Sequence, residues 1–154
     1  MNTPTVTRYR EGAEIGYRWL AKSGAKPNYP FGHGLSYTTF DYKDLKVSGG
    51  ETVTATFTVT NTGKVAGADV PQVYLTDAAG ERRMRLLPFE RVELAPGASH
   101  SVTVTDDPRL LARFDGAAGQ WRIAAGTYRV EVGKSAGELV LTAEARLAAR
   151  LFGK

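Results

Sequence analysis

At 154 residues and without a single cysteine, the chain has the size of one compact domain and cannot rely on disulfides or thiolate metal sites. A hydrophobic share of 42% and a charged share of 23% are those of a protein able to bury a core, which excludes wholesale disorder. The formal charge of +4 comes from residues interspersed along the chain, with Arg82, Arg83 and Arg85 as the one basic cluster, so no basic stripe predicts a nucleic-acid partner.

No apolar run approaches the roughly twenty residues of a membrane helix, so no membrane partner is expected. The start, Met1-Asn2-Thr3-Pro4, lacks the basic and apolar regions of a signal peptide, and the compartment stays undetermined. The first stretch, residues 1–39, reads as an extended arm. Tyr9, Tyr17, Trp19, Tyr29, Phe31 and Tyr37 crowd into it, while Pro27, Pro30, Gly32 and Gly34 interrupt any long element. Such a stretch suits a segment lying on a surface with aromatic side chains as anchors.

From residue 40 the period changes to two. Phe40 to Val47 opens the series, and Thr52 to Thr60 is its clearest run, with Val53, Ala55, Phe57 and Val59 on one face and five threonines on the other. Asn61-Thr62-Gly63-Lys64 supplies a turn. Gln72 to Thr76 sets Val73 and Leu75 opposite Gln72 and Tyr74, with Pro71 marking the strand's beginning or an edge. Leu86 to Leu94 is expected as a strand around Phe89 and Val92, ended by Ala95-Pro96-Gly97.

Ser99 to Thr105 alternates again with Val102 and Val104 inward, which leaves His100 outward. Asp107-Pro108-Arg109-Leu110-Leu111 reads as one helical turn with Asp107 as N-cap and Pro108 at the first helical position. A short strand around Trp121 and Ile123 follows, and then Thr127 to Gly133 with Tyr128, Val130 and Val132 on one face. Glu138 to Ala143 pairs Leu139 with Leu141. For the tail, Ala143 to Phe152, the spacing of Leu147 and Leu151 predicts a short amphipathic C-terminal helix. The sum is an all-β fold, an immunoglobulin-like antiparallel β-sandwich of about seven strands occupying residues 40–154 behind the 1–39 arm.

The order of the motifs carries a resemblance. Tyr9-Arg10-Glu11-Gly12, Gly16-Tyr17-Arg18-Trp19 and Tyr29-Pro30-Phe31-Gly32-His33-Gly34-Leu35-Ser36-Tyr37-Thr38 form an unusual succession. It resembles the junction leading into the last domain of family 3 glycoside hydrolases, a group with many bacterial β-glucosidases and β-xylosidases. Val59-Thr60-Asn61-Thr62-Gly63, Gly67-Ala68-Asp69-Val70, Val73-Tyr74-Leu75, Phe89-Glu90-Arg91-Val92-Glu93-Leu94 and Gly126-Thr127-Tyr128 resemble that family's fibronectin type III-like domain. Pro88 departs from it, standing where the family commonly has Gly.

The resemblance implies a retaining glycosidase as the parent, whose nucleophilic Asp and acid/base Glu belong to domains that this chain does not match. It implies a chain without catalytic residues or cofactor, partnered by the catalytic domains of that parent. Proteins of that family are often periplasmic or secreted. Tyr17, Trp19, Phe31, His33 and Tyr37 are the candidate contact residues toward those domains. With them exposed together, the arm is expected either to fold back over its own sandwich or to join two copies. The alternative reading is a free-standing carbohydrate-binding or protein-interaction module derived from such an enzyme.

Other chemistry finds little in the residues. A metal site would need both histidines, His33 and His100, together with carboxylates. Asp106 and Asp107 are adjacent, which points two carboxylates apart rather than together. Trp121 is expected in the core or half-buried, and direct saccharide binding would draw on Trp19 and Tyr74.

Overall fold

The computed structural model describes residues 12–153. Two antiparallel sheets face each other. One has the order β1-β2-β7, from Phe40–Ser48, Thr54–Asn61 and Ser99–Thr105. The other has the order β11-β10-β4-β5, from Glu138–Leu147, Gly126–Ser135, Gln72–Ala78 and Glu81–Leu86. A two-stranded ribbon joins β3 (Gly67–Asp69) to β6 (Val92–Leu94), and a small third sheet runs β12-β9-β8, from Arg150–Phe152, Gln120–Ile123 and Arg113–Asp115. Two helices complete the fold, α1 (Tyr17–Ser23) and α2 (Pro108–Leu111).

The period-two reading of the sandwich holds where the core lies. Val53, Ala55, Phe57 and Val59 are buried, and so are Val102 and Val104 on the neighbouring strand. Tyr128, Val130 and Val132 face them from β10, with Val73 and Leu75 from β4. On the outer face of β2 and β7 the hydroxyls pair across the strands, Thr54 with Thr105 at 3.1 Å and Thr56 with Thr103 at 3.0 Å. In β1 the register shifts between Lys43 and Lys46, and Asp44 takes a φ of 59°. Asp tolerates that left-handed geometry better than most residues. The extra residue turns Leu45 toward the core, where it packs.

Where β7 ends, the two aspartates part as expected. Asp107 has an extended backbone and accepts from the Arg109 N–H at 2.9 Å, capping α2 with Pro108 in its first turn. Asp106 is buried.

Four expectations change. The predicted C-terminal helix is absent: β11 runs on to Leu147, and β12 returns as Arg150–Phe152. Ala145 and Leu147 alternate with Glu144 and Arg146, and pairing with Tyr128 and Gly126 buries both apolar residues. The edge pairing outweighs the helix propensity of an Ala/Leu/Arg stretch. Second, Leu86 to Leu94 is no single strand; residues 87–91 form a connection, β6 covers only Val92–Leu94, and Phe89 is 59% exposed.

Third, β5 occupies Glu81–Leu86, the stretch that reads as a basic cluster. The two-residue turn before it, Ala79-Gly80, has φ of 53° and 86°, the pair of positive values that a type I′ hairpin requires. Asp77 steadies it by accepting from the Gly80 N–H at 2.8 Å. The two facing sheets hold seven strands, as expected for the sandwich, and the short ribbon and the third sheet bring the strands among the described residues to twelve. Fourth, the arm is not extended throughout, since Tyr17–Ser23 form a helix between Gly16 at its N-cap and Gly24 in left-handed conformation at its C-terminus.

Candidate docking surface

The described part of the arm, residues 12–39, folds back onto the sandwich. Tyr17 is the clamp. Its hydroxyl accepts from the Leu86 N–H at 2.9 Å, at the end of the edge strand β5. Its ring stacks on Phe31 at 5.1 Å and meets Tyr74 edge-on at 5.9 Å. Phe31 is fixed in turn through its carbonyl, which accepts from the Ala136 N–H at 2.8 Å in the β10–β11 turn.

A tight turn over Pro30–His33 brings the arm down. The His33 N–H donates to the Pro30 carbonyl at 2.9 Å, and Gly32 takes a φ of 83°, the value that position i+2 of a type II turn demands. Gly32 lies so close to β4 that an added Cβ would overlap the Gln72 amide.

This contact explains why β4 is buried on both faces. Gln72 and Tyr74 point away from the core, yet Gln72 is buried and Tyr74 has no exposed surface. The Tyr74 hydroxyl donates to Gln72 Oε1, and burial beneath the arm pushes its pKa up. Tyr74 is therefore unavailable to a saccharide. Between α1, the turn and Met84 of β5 there remains a small apolar cleft of about 90 Å³ lined by Tyr17, Leu20, Pro27 and Phe31. Replacing Gly32 with Ala should lift the arm: left-handed strain and a displaced Gln72 together cost about 2 kcal/mol or more. Chemical denaturation reads the loss, and amide exchange at Ala136 shows that it originates in the arm.

The opposite side of β5 does other work. Tyr74 and Leu86 are register partners, and so are Leu75 and Arg85, so Arg83 and Arg85 project from the face away from the arm. Arg83 Nη1 donates to the carbonyls of Leu111 and Ala112 at 3.5 and 3.3 Å, and Arg85 Nη1 to those of Arg109 and Leu110 at 3.2 and 2.8 Å. These are carbonyls that the C-terminal end of α2 leaves unpaired. Burial lowers the pKa of both guanidiniums. The basic cluster is thus an internal brace, and only Arg82 stands on the surface. A hairpin signal at Ala79-Gly80 was the cue for it in the sequence.

The arm's outer side carries the remaining candidates. Trp19 is 48% exposed, Phe31 half exposed, and Leu35 and Tyr37 lie wholly in solvent. His33 is exposed and packs at 5.4 Å against the Tyr29 ring, which is itself exposed. Trp19, Phe31, His33 and Tyr37 therefore share one outward-facing segment, while Tyr17 faces inward to hold it. The second histidine is elsewhere, on β7, where His100 Nε2 lies 3.2 Å from Glu90 Oε1. Among the described residues no group of three or more His, Cys, Asp or Glu is placed to hold a metal.

The antiparallel sandwich behind the arm is an all-β fold, and residues 69–136 match the family model of the fibronectin type III-like domain. Relatives extend the likeness to the arm. The chain is 35% identical over 147 residues to thermostable β-glucosidase B of Acetivibrio thermocellus, covering 90% of this chain and 20% of that protein. It is 41% identical over 137 residues to probable β-glucosidase I of Aspergillus niger, covering 80% and 17%. Among solved structures, β-glucosidase 3B from Thermotoga neapolitana in complex with α-D-glucose superposes with a TM-score of 0.87 at 38% identity, over 95% of this chain and 21% of that one. The chain thus spans about a fifth of the length of the curated relatives it matches. Residues 69–136 are similar to the fibronectin type III-like domain, and the chain as a whole is similar to one segment of these β-glucosidases.

Proposed function

We propose that this chain is a non-catalytic module that docks, through the outer side of its arm, onto the catalytic domains of a family 3 β-glucosidase and stabilises that assembly. The observation that carries the reading is the division of labour in the arm. Tyr17, Pro30 and Gly32 fasten it to the sandwich, and the same fastening presents Trp19, Phe31, Leu35 and Tyr37 to solvent. A cluster of exposed aromatic and aliphatic groups on a rigid support is what a partner surface requires. Domain interfaces of this kind bury about 600–1,500 Å², an area that one such segment with its flanking loops can supply. The two units, residues 1–39 and 40–154, then have separate roles, one joining and one supporting.

Retaining glycoside hydrolysis needs two carboxyl groups about 5–5.5 Å apart across a sugar site. Here the adjacent Asp106 and Asp107 diverge, one buried and one held by Arg109. The purified chain should hydrolyse an aryl β-glucoside no faster than buffer does; turnover at an enzymatic rate that survives repurification would overturn the reading.

A further inference from the structure

We propose that Met84 is an oxidation site, where a peroxide converts the thioether to its sulfoxide and so loosens the arm from the sandwich. The chain has no cysteine, so no thiol competes for the oxidant. Its sulfur resides in two methionines, Met1 and Met84, of which Met1 lies outside the described residues. A thioether, unlike a thiol, needs no deprotonation to react, so access to the side chain governs the site.

The alternation of β5 sets that access. Met84 and Leu86 share the face toward the arm, while Arg83 and Arg85 turn to the end of α2. Met84 is half-buried there, on the wall of the cleft of about 90 Å³ that Tyr17, Leu20, Ala21 and Phe31 also line. The cleft opens to solvent. Its volume is several times the share of about 30 Å³ that one water molecule takes in the liquid, so a molecule as small as hydrogen peroxide enters.

In the step, a sulfur lone pair attacks one peroxide oxygen. The S–O bond forms as the O–O bond breaks, sulfur loses two electrons, and the other oxygen leaves with both protons as water. The product sets a polar S–O group where an apolar one stood. Leu20, Ala21, Pro27 and Phe31 offer it no side-chain donor. The Ala136 N–H is already given to the Phe31 carbonyl at 2.8 Å. Tyr17, the one polar side chain of the lining, has its hydroxyl on the Leu86 N–H at 2.9 Å. The sulfoxide therefore stays hydrated only if the cleft widens. Met84 is built into a sandwich strand, so the wall that yields is the arm, and the Tyr17–Leu86 and Phe31–Ala136 bonds open with it. An effect on docking rests on the function proposed above; the oxidation and the release of the arm do not.

The test treats the whole chain with hydrogen peroxide beside free methionine. Mass spectrometry of proteolytic peptides should show the Met84 peptide gaining an oxygen at a rate within about tenfold of the free amino acid. Hydrogen exchange should then run about tenfold faster at the Leu86 and Ala136 amides, with the Val130 amide in the core of β10 unchanged. Methionine sulfoxide reductase should restore the slow exchange, which separates the sulfoxide from any other oxidative damage. Met84→Leu keeps the apolar wall and should exchange alike before and after peroxide. Slower oxidation of Met84, a sulfoxide form whose Leu86 and Ala136 amides exchange as before, fast exchange that outlasts the reductase, or loosening of the arm in treated Met84→Leu would each overturn the proposal. No partner domain enters the experiment, so its outcome is independent of the docking reading.

Discussion

Replacing Asn61 with Ala is expected to lower stability by about 3–5 kcal/mol, since a fully buried amide with every hydrogen-bonding site engaged leaves several partners orphaned when removed. Asn61 has no exposed surface. Its Nδ2 donates to the carbonyls of Val65 and Leu94, both at 2.9 Å, and its Oδ1 accepts from Thr38 Oγ1 at 2.7 Å and from the Gly63 N–H at 3.0 Å. Its backbone is used too: the N–H donates to the Ala98 carbonyl at 3.0 Å, and the carbonyl accepts from the Gly97 N–H at 2.9 Å. One side chain therefore ties the end of the arm at Thr38, the β2–β3 turn and β6 together. Urea denaturation measures the loss. Asn61→Asp should be nearly as damaging, because a carboxylate cannot donate to the two carbonyls.

The second large effect depends on pH. Burial pushes the Asp106 carboxyl up to about 7, and its Oδ2 has no hydrogen-bond partner. The backbone of Asp106 cannot retreat, because its N–H donates to the Val53 carbonyl at 3.0 Å and its carbonyl accepts from Thr52 Oγ1 at 2.8 Å. A carboxyl raised in the folded state binds its proton more tightly there than in the unfolded chain, where the pKa is about 3.9. Well below pH 4, both states hold the proton and no penalty arises. As pH rises, the unfolded chain ionises first and stability falls, until the full penalty is reached above pH 7. Between pH 5 and 8 this group alone should destabilise the fold by about 2–3 kcal/mol. Asp106→Asn removes the dependence. Denaturation of both proteins at pH 5 and pH 8 should show the variant gaining that amount relative to the parent chain; parallel pH profiles would contradict the assignment.

The sandwich was legible because its strands bury one face only. Val53, Ala55, Phe57 and Val59 announce themselves by alternation, as do Tyr128, Val130 and Val132. The period fails where a second layer covers the strand. Gln72 and Tyr74 look outward in β4, and nothing local says that Gly32 and Tyr17 will cover them from 40 and 57 residues away. In β5 the alternation is Met84 and Leu86 against Arg83 and Arg85, which reads as a charged surface until the arginines are seen bonded to the end of α2. Asn61 shows the same limit. Asn-Thr-Gly marks the turn, but the partners of its amide come from segments whose approach only the fold determines. In the tail, Ala and Leu carry helix propensity, and the available edge of β10 decides otherwise.

The candidate surface was legible in composition but not in conformation. Aromatic crowding in residues 8–39 identified the arm. Which ring turns inward depends on the hydrogen bond between Tyr17 and Leu86, a contact set by the distant hairpin at Ala79-Gly80 and by nothing local to the arm.

Docking through the arm is tested most directly by the melting temperature of a chimera, Thermotoga neapolitana β-glucosidase 3B with its matching segment replaced by this chain. Trp19→Ser with Tyr37→Ser should lower the chimera's melting temperature by several degrees and change that of the isolated chain far less. A chimera that melts at the same temperature with and without the two substitutions would contradict the account.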